Sequence, residues 1–247
     1  MPEGPTIVIL REETQSFVGR TIIKAEGNAK GFTHRALVDQ NIVALRSFGK
    51  QYLIQLPQLA LRVHFLLFGS YRINERKDAV PRLSLQFDDG DELNFYACSI
   101  KPLGPDLDAA YDWRIDVMAK EWDPALARKT LRAMPATLAC DALLDQDVFA
   151  GVGNIIKNEV LFRIRVHPLS EIGALPPKKL AQLVQEASAY AFEFLKWKKA
   201  GTLKAHWLAH TKTTCPRCHI PFHKGKLGKT QRRSFYCERC QMRYAGE

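Results

Sequence analysis

The sequence predicts an α+β chain in three stretches: an antiparallel β part, a helical middle and a small metal ribbon. Three observations carry this. Short β-branched and aromatic runs recur between residues 21 and 104, apolar positions take up helical spacing beyond residue 123, and two Cys-x-x-Cys pairs lie between residues 215 and 240. With 247 residues and 46% apolar content, the chain has enough material for more than one core. The expected boundaries are 1–118, 119–204 and 205–247.

The chain begins Met1-Pro2-Glu3-Gly4-Pro5. Ile7, Leu10, Thr14 and Phe17 then recur at helical spacing, with Pro5 suited to a first turn and Gly19 to a stop, so a helix is expected over 5–18. Strand-like runs follow at 21–23, 42–45, 52–54, 61–65 and 70–73. Leu83, Leu85 and Phe87 alternate with polar residues, and Asp88-Asp89-Gly90-Asp91 supplies a turn before Leu93 and Phe95. The pattern fits a sandwich or a barrel. Asp123-Pro124 marks the start of a helix carrying Ala125, Leu126, Leu131 and Met134, and further helices are expected over 137–144 and 154–163. A longer one over 177–199 carries Leu180, Leu183, Val184, Ala187, Ala191, Phe194 and Leu195 as one apolar stripe, which is core.

Lys and Arg number 36 against 26 Asp and Glu, a net charge of +10 that favours a polyanionic partner, nucleic acid first. A basic surface kept for solubility has the same composition. No run of about 18 apolar residues and no secretory leader pattern is present, so no membrane partner is expected, and the expected setting is cytoplasmic, in the bacterial cytosol or nucleoid.

Five stretches carry chemistry. Cys215-Pro216-Arg217-Cys218 and Cys237-Glu238-Arg239-Cys240 have the spacing of a four-thiolate zinc ribbon, whose closed coordination makes the ion structural. His219 and His223 are expected outside the ligand set. Cys98 and Cys140, solitary, are read as buried small hydrophobes. Between the knuckles, Lys224, Lys226, Lys229, Arg232 and Arg233 suit phosphate contacts, although a solvated hairpin tip would look the same. Gly151-Val152-Gly153-Asn154 precedes a helix whose free amides attract phosphate, with Asn154 as its expected N-cap and Lys157 adding charge one turn in; an ordinary helix connection also fits. Lys50 follows a glycine directly before a strand, ordinarily an exposed edge position. Phe65-Leu66-Leu67-Phe68-Gly69 is core on the ordinary reading, or an apolar wedge for stacked bases. At the start, removal of Met1 would expose Pro2 as a secondary amine beside the Glu3 carboxylate, a nucleophile next to an acid/base, although many chains begin Met-Pro to no chemical end.

Taken in order from Pro2 to Cys240, these stretches resemble the formamidopyrimidine-DNA glycosylase / endonuclease VIII family. The resemblance implies a two-sheet β-sandwich with an N-terminal helix, a helix-two-turn-helix domain and a zinc ribbon. It implies Pro2 as nucleophile, Glu3 as acid/base, Lys50 as a phosphate-contacting lysine that assists chemistry, Asn154 and Arg232 on backbone phosphates, and Leu67 as the intercalating wedge flanked by Leu66 and Phe68. Cys215, Cys218, Cys237 and Cys240 would hold one structural Zn2+. The implied activity is excision of oxidised bases with strand nicking by β,δ-elimination, and the implied partner is double-stranded DNA carrying damaged bases or abasic sites, met by a monomer.

The chain departs from the family pattern in places. Thr6 stands where members often carry a second glutamate, and Ile156 where many have an aromatic. The Arg-Arg-Phe-Gly-type loop common among members acting on oxidised purines has no match in Ser99-Ile100-Lys101-Pro102-Leu103-Gly104. Gly4 resembles the endonuclease VIII branch, so oxidised pyrimidines are the expected substrates. The alternatives are an oxidised-purine enzyme of the same family and a damaged-DNA-binding protein without catalysis.

Overall fold

The structure, a computed structural model, describes residues 2–246. The chain divides into two compact units, Met1–Asp112 and Trp113–Glu247.

In the first unit, helix α1 (Gly4–Glu13) starts with Pro5 in its first turn, where a missing N–H costs nothing. It is shorter than the apolar spacing suggested, because Thr14 leaves helical geometry and a 3-10 turn (Gln15–Phe17) takes over. Eight strands follow: β1 (Ile22–Glu26), β2 (Ala44–Phe48), β3 (Gln51–Gln55), β4 (Ala60–His64), β5 (Ser70–Ile73), β6 (Leu83–Phe87), β7 (Glu92–Tyr96) and β8 (Ser99–Leu103). They form two antiparallel four-stranded sheets, ordered β1-β6-β7-β5 and β2-β3-β4-β8.

The alternation in β6 does what its period requires. Leu83 pairs with Phe95 and Leu85 with Leu93, and all four are 0% exposed. Their core is shared with Tyr52, Ile54, Leu61 and Val63 of the other sheet and with Ile7 and Leu10 of α1, so the arrangement is a sandwich. Tyr52 and Phe95 meet across it at 5.9 Å, and the Tyr52 hydroxyl hydrogen-bonds Thr14 Oγ1 at 2.7 Å, tying α1 to β3. β8 was not legible in the sequence. Its Pro102 breaks the strand signal but is tolerated, because β8 pairs only with β4 and lies at the sheet edge. A short helix, α2 (Leu107–Ala110), capped by Asp106, ends the unit.

The second unit holds α3 (Pro124–Arg132), α4 (Ala139–Ala142), α5 (Asn154–Arg163), α6 (Pro177–Lys199) and a hairpin of β9 (His223–Leu227) and β10 (Arg232–Tyr236). Asp123 caps α3 through Ala125 N and Leu126 N at 2.8 and 3.0 Å, with Pro124 in the first turn. Six of the seven stripe residues of α6 are buried; Leu195 is half-buried, and Tyr190 joins them. Helix α5 is buried on every side from Ile156 to Phe162, so each polar residue in it needs an internal partner.

Candidate functional site

In the first unit, Pro2 and Glu3 stand at the head of α1. Glu3 is the N-cap residue and only 1% exposed; its carbonyl oxygen accepts from Thr6 N at 2.9 Å and from the Thr6 hydroxyl at 2.7 Å. Thr6 therefore uses its hydroxyl to brace the first turn. Pro2, half-buried, lines a cavity of about 470 Å³ whose walls include Thr6, Phe65, Gly69 and Tyr71. The nitrogen-bearing ring thus shares a hollow with the base of the 66–68 loop. Tyr71 closes part of the wall by donating its hydroxyl to Glu13, and burial, then that carboxylate, push the phenol pKa up.

That loop shows its apolar side chains outward. Leu66 and Leu67 are each 51% exposed and Phe68 87%, so the core reading is excluded for these three, while Phe65, 3% exposed, is core. The display is built by the backbone. Gly69 N donates to the Phe65 carbonyl at 2.8 Å, and a Cβ on Gly69 would overlap that carbonyl, so only glycine closes the turn. Leu66 adopts φ 53° and donates its N–H to His64 Nδ1 at 3.1 Å. His64 is held below its ordinary pKa by burial, then by Lys50 and Arg62, so it serves as a neutral acceptor at pH 7.

Lys50 sits in the two-residue turn joining β2 and β3, where Phe48 pairs with Gln51. Gly49 has φ 53° and Lys50 does not have positive φ, the pattern of a type II′ hairpin, which matches strand twist. Gln51 in turn pairs with His64, which places Lys50 beside the start of the displayed loop.

In the second unit, Asn154 is the first residue of α5; the N-cap is Gly153, with extended backbone. The expected cap role fails because the glycine occupies that position. Asn154 Nδ2 instead donates to the Arg233 carbonyl at 3.0 Å, which brings it next to Arg232 in β10. Gln146 shapes the preceding turn, donating to Val152 O at 3.1 Å and accepting from Gly151 N at 3.2 Å. Lys157 is not at the surface at all. It is 0% exposed, with Nζ 2.8 Å from Ser234 Oγ and 3.3 Å from Arg233 O, which corrects its expected role as a phosphate contact: the side chain points into the packing against β10. Ile156, also 0% exposed, is core.

The ribbon's four cysteines place their sulfurs within 4.8 Å of one another, with Cys215 and Cys240 3.8 Å apart. A tetrahedron with Zn–S of about 2.3 Å has sulfur-sulfur edges of about 3.8 Å, so the four residues fit a structural zinc ion. His219 and His223 are exposed and outside the group. Lys224, Lys226, Lys229 and Arg233 are exposed around the hairpin, while Arg232 is half-buried.

Several anchors of this ribbon were not legible beforehand. Buried Glu159 accepts from Leu208 N, Ala209 N and His210 N at 2.9, 2.9 and 2.7 Å. Asp141 accepts from Lys229 N at 2.8 Å and Thr230 N at 3.1 Å, fastening the hairpin tip to α4. Arg217, inside the first knuckle, donates to the Phe162 carbonyl at the end of α5 at 2.7 Å and stacks over the Phe162 ring at 4.0 Å. Asn158 accepts from Phe235 N at 3.1 Å, and its amide meets His210 Nδ1 at 3.2 Å. The only sequence signal was two polar residues, Asn158 and Glu159, running into Val160, Leu161 and Phe162 on a helix too short to spare a solvent face.

Comparison with known proteins agrees with this layout. The formamidopyrimidine-DNA glycosylase N-terminal domain matches residues 1–98, and the formamidopyrimidine-DNA glycosylase H2TH domain matches residues 116–204. The chain is 35% identical over 204 residues to endonuclease 8-like 2 of Bos taurus, covering 76% of this chain and 60% of that protein. It is 30% identical over 207 residues to endonuclease 8-like 3 of Mus musculus, covering 80% and 34%. The chain therefore spans about a third to three-fifths of the length of these relatives. The crystal structure of Lactococcus lactis formamidopyrimidine-DNA glycosylase, bound non-covalently to DNA containing an AP site, superposes with a TM-score of 0.86 over 98% of this chain and 100% of that one, at 22% identity, a likeness of fold. With two domains of one family matched in order, the same fold throughout and a four-cysteine ribbon, the chain belongs to the formamidopyrimidine-DNA glycosylase / endonuclease VIII family.

Proposed function

We propose that this protein is a bifunctional DNA glycosylase and abasic-site lyase of base excision repair, acting on oxidised pyrimidines in double-stranded DNA. The observation that carries the reading is Pro2 opening onto a cavity, one residue from buried Glu3, at the head of a helix fixed to a sheet. Once Met1 is removed, the Pro2 nitrogen is a secondary amine; α-amines have reference pKa values of about 7.7–8.0, so a usable fraction is neutral near pH 7. Its lone pair attacks the sugar C1′ while Glu3 protonates the ring oxygen, and the base departs with the electrons of the glycosidic bond. The resulting iminium draws electrons from C2′. Loss of a C2′ proton expels the 3′ phosphate, a second elimination expels the 5′ phosphate, and water releases Pro2.

Lys50 in the first unit and Asn154 and Arg232 in the second each contact DNA phosphates, and Leu67, with Leu66 and Phe68, takes the space left in the stack. Unstacking costs a few kcal/mol and is cheapest at poorly paired bases, which favours damage. Cys215, Cys218, Cys237 and Cys240 hold the zinc, which shapes the ribbon and enters no chemical step. The preference for pyrimidines is supported by the similarity to endonuclease 8-like relatives and by the connection from β7 to β8. That connection consists of Ala97 and Cys98 alone, too short for a loop that fills the gap opposite an extruded purine.

Borohydride trapping on duplexes carrying thymine glycol, dihydrouracil, 8-oxoguanine or an abasic site tests this. A covalent adduct through Pro2 is expected, strongest on the pyrimidine lesions, and none with an uncleaved N-terminal extension. Cleavage by the wild-type protein without a trappable adduct would refute the imine route. Equal or better processing of 8-oxoguanine would refute the lesion preference alone.

A further inference from the structure

Three side chains of α5 donate to one acceptor. The Arg233 carbonyl oxygen lies 3.0 Å from Asn154 Nδ2, 3.3 Å from Lys157 Nζ and 3.3 Å from Asn158 Nδ2. A carbonyl oxygen has two lone pairs, so one donor is in excess. The three are not equivalent. Lys157 is 0% and Asn158 2% exposed, and each has a second anchor on β10: Lys157 Nζ on Ser234 Oγ at 2.8 Å, Asn158 Oδ1 on Phe235 N at 3.1 Å. Asn154 is half-buried, and its Oδ1, shielded from water, accepts no hydrogen bond among the described residues. Of the three, Asn154 is the one whose amide can leave at least cost.

We propose that Lys157 is a positioning residue. By keeping the Arg233 carbonyl satisfied together with Asn158, it releases the Asn154 amide to turn towards a DNA phosphate. This rests on the reading of Asn154 as a phosphate contact. With Lys157 gone, the carbonyl would depend on Asn154 and Asn158 alone, and Asn154 could reach a phosphate only by leaving a lone pair of that carbonyl empty. The lysine thus acts on nucleic acid from inside the protein, through a neighbour's freedom.

A double-mutant cycle tests it, with Lys157→Met, Asn154→Ala and the double variant compared with wild type as Kd for a duplex containing a tetrahydrofuran abasic analogue. Zinc content and melting temperature are recorded for each. Lys157→Met should weaken binding about tenfold in the wild-type background, a typical cost for one polar interaction, and less than about twofold beside Asn154→Ala. The salt slope of binding should stay the same, whereas loss of a direct phosphate contact would reduce it by about 0.9. Equal losses in both backgrounds, or a reduced slope, overturn the inference. If Lys157→Met does not fold, side-chain amide NMR of the wild-type protein decides: Asn154 signals should move on adding the duplex while those of Asn158 stay. Static Asn154 signals in a saturated complex overturn it. A wild-type protein that fails to bind the duplex sinks the underlying DNA reading, while tight wild-type binding with no coupling sinks only the role of Lys157.

Discussion

Replacing Glu159 by Gln should loosen the ribbon from the helices without removing a single apolar contact. The carboxylate takes three backbone N–H groups, two on Oε1 and one on Oε2, at 2.7–2.9 Å and with no exposure. Glutamine offers one oxygen. The amide oxygen can keep Ala209 and His210, but Leu208 N then faces an NH2 group, donor against donor. Losing a hydrogen bond to a charged group costs about 1.5–3 kcal/mol, and a buried unsatisfied donor about 1–3 kcal/mol. Because these costs overlap, about 3–4 kcal/mol is expected in total. At about 3–5 °C per kcal/mol for a unit of this size, the melting temperature should fall by about 10–15 °C. Calorimetry of wild type and Glu159→Gln at equal zinc loading measures it. A fall under about 3 °C would show that the three bonds are replaceable by water and would refute the view of Glu159 as an energetically significant anchor of the ribbon.

Other outcomes follow from the same geometry. Leu67→Ala, at an exposed position, should leave the melting temperature within about 2 °C while lowering incision at least about tenfold, measured as kcat/KM on a thymine glycol duplex. Cys218→Ser should lower zinc, measured by atomic emission, from about one ion per chain and abolish DNA binding together with the ribbon's protection from proteolysis. His210, pushed down to about 4 by burial and then by Lys157, stays neutral when folded but takes a proton near pH 6.5 when unfolded. Its folded pKa is depressed, so its contribution to stability is complete above pH 6.5 and lost as pH falls towards 4, at up to about 1.4 kcal/mol per pH unit. His210→Gln should flatten that part of the stability-pH curve, and an unchanged curve would contradict the assignment.

What the sequence revealed, and what it hid, divides along a physical line. Helices α5 and α6 and strands β5 and β6 were readable because period and punctuation are local: Gly153 before Asn154, Pro177 at a first turn, Leu83, Leu85 and Phe87 in alternation. The cysteine spacing was readable because four thiolates at two knuckles have few other uses. The direction of Lys157 was not. A lysine one turn into a helix looks solvated until Ser234 and Arg233, more than seventy residues away, are known to cover it. The 66–68 loop was equally ambiguous, since the same three apolar letters describe a core and a display; the turn closed at Gly69 decides between them. Glu159 and Asp141 also depend on backbone donors supplied from far along the chain, which no local pattern reports.

Arg217 gives the metal knuckle a second duty. The loop Cys215-Pro216-Arg217-Cys218 that wraps the ion also carries the guanidinium closing the carboxyl end of α5. Asn154 is the first of that helix's 10 residues, at its other extremity. Chelation would therefore do more than unravel a peripheral finger. It would unseat the far stop of the rod on which Asn154, the proposed phosphate contact, is mounted, so metal status and grip on the nucleic acid should rise and fall together.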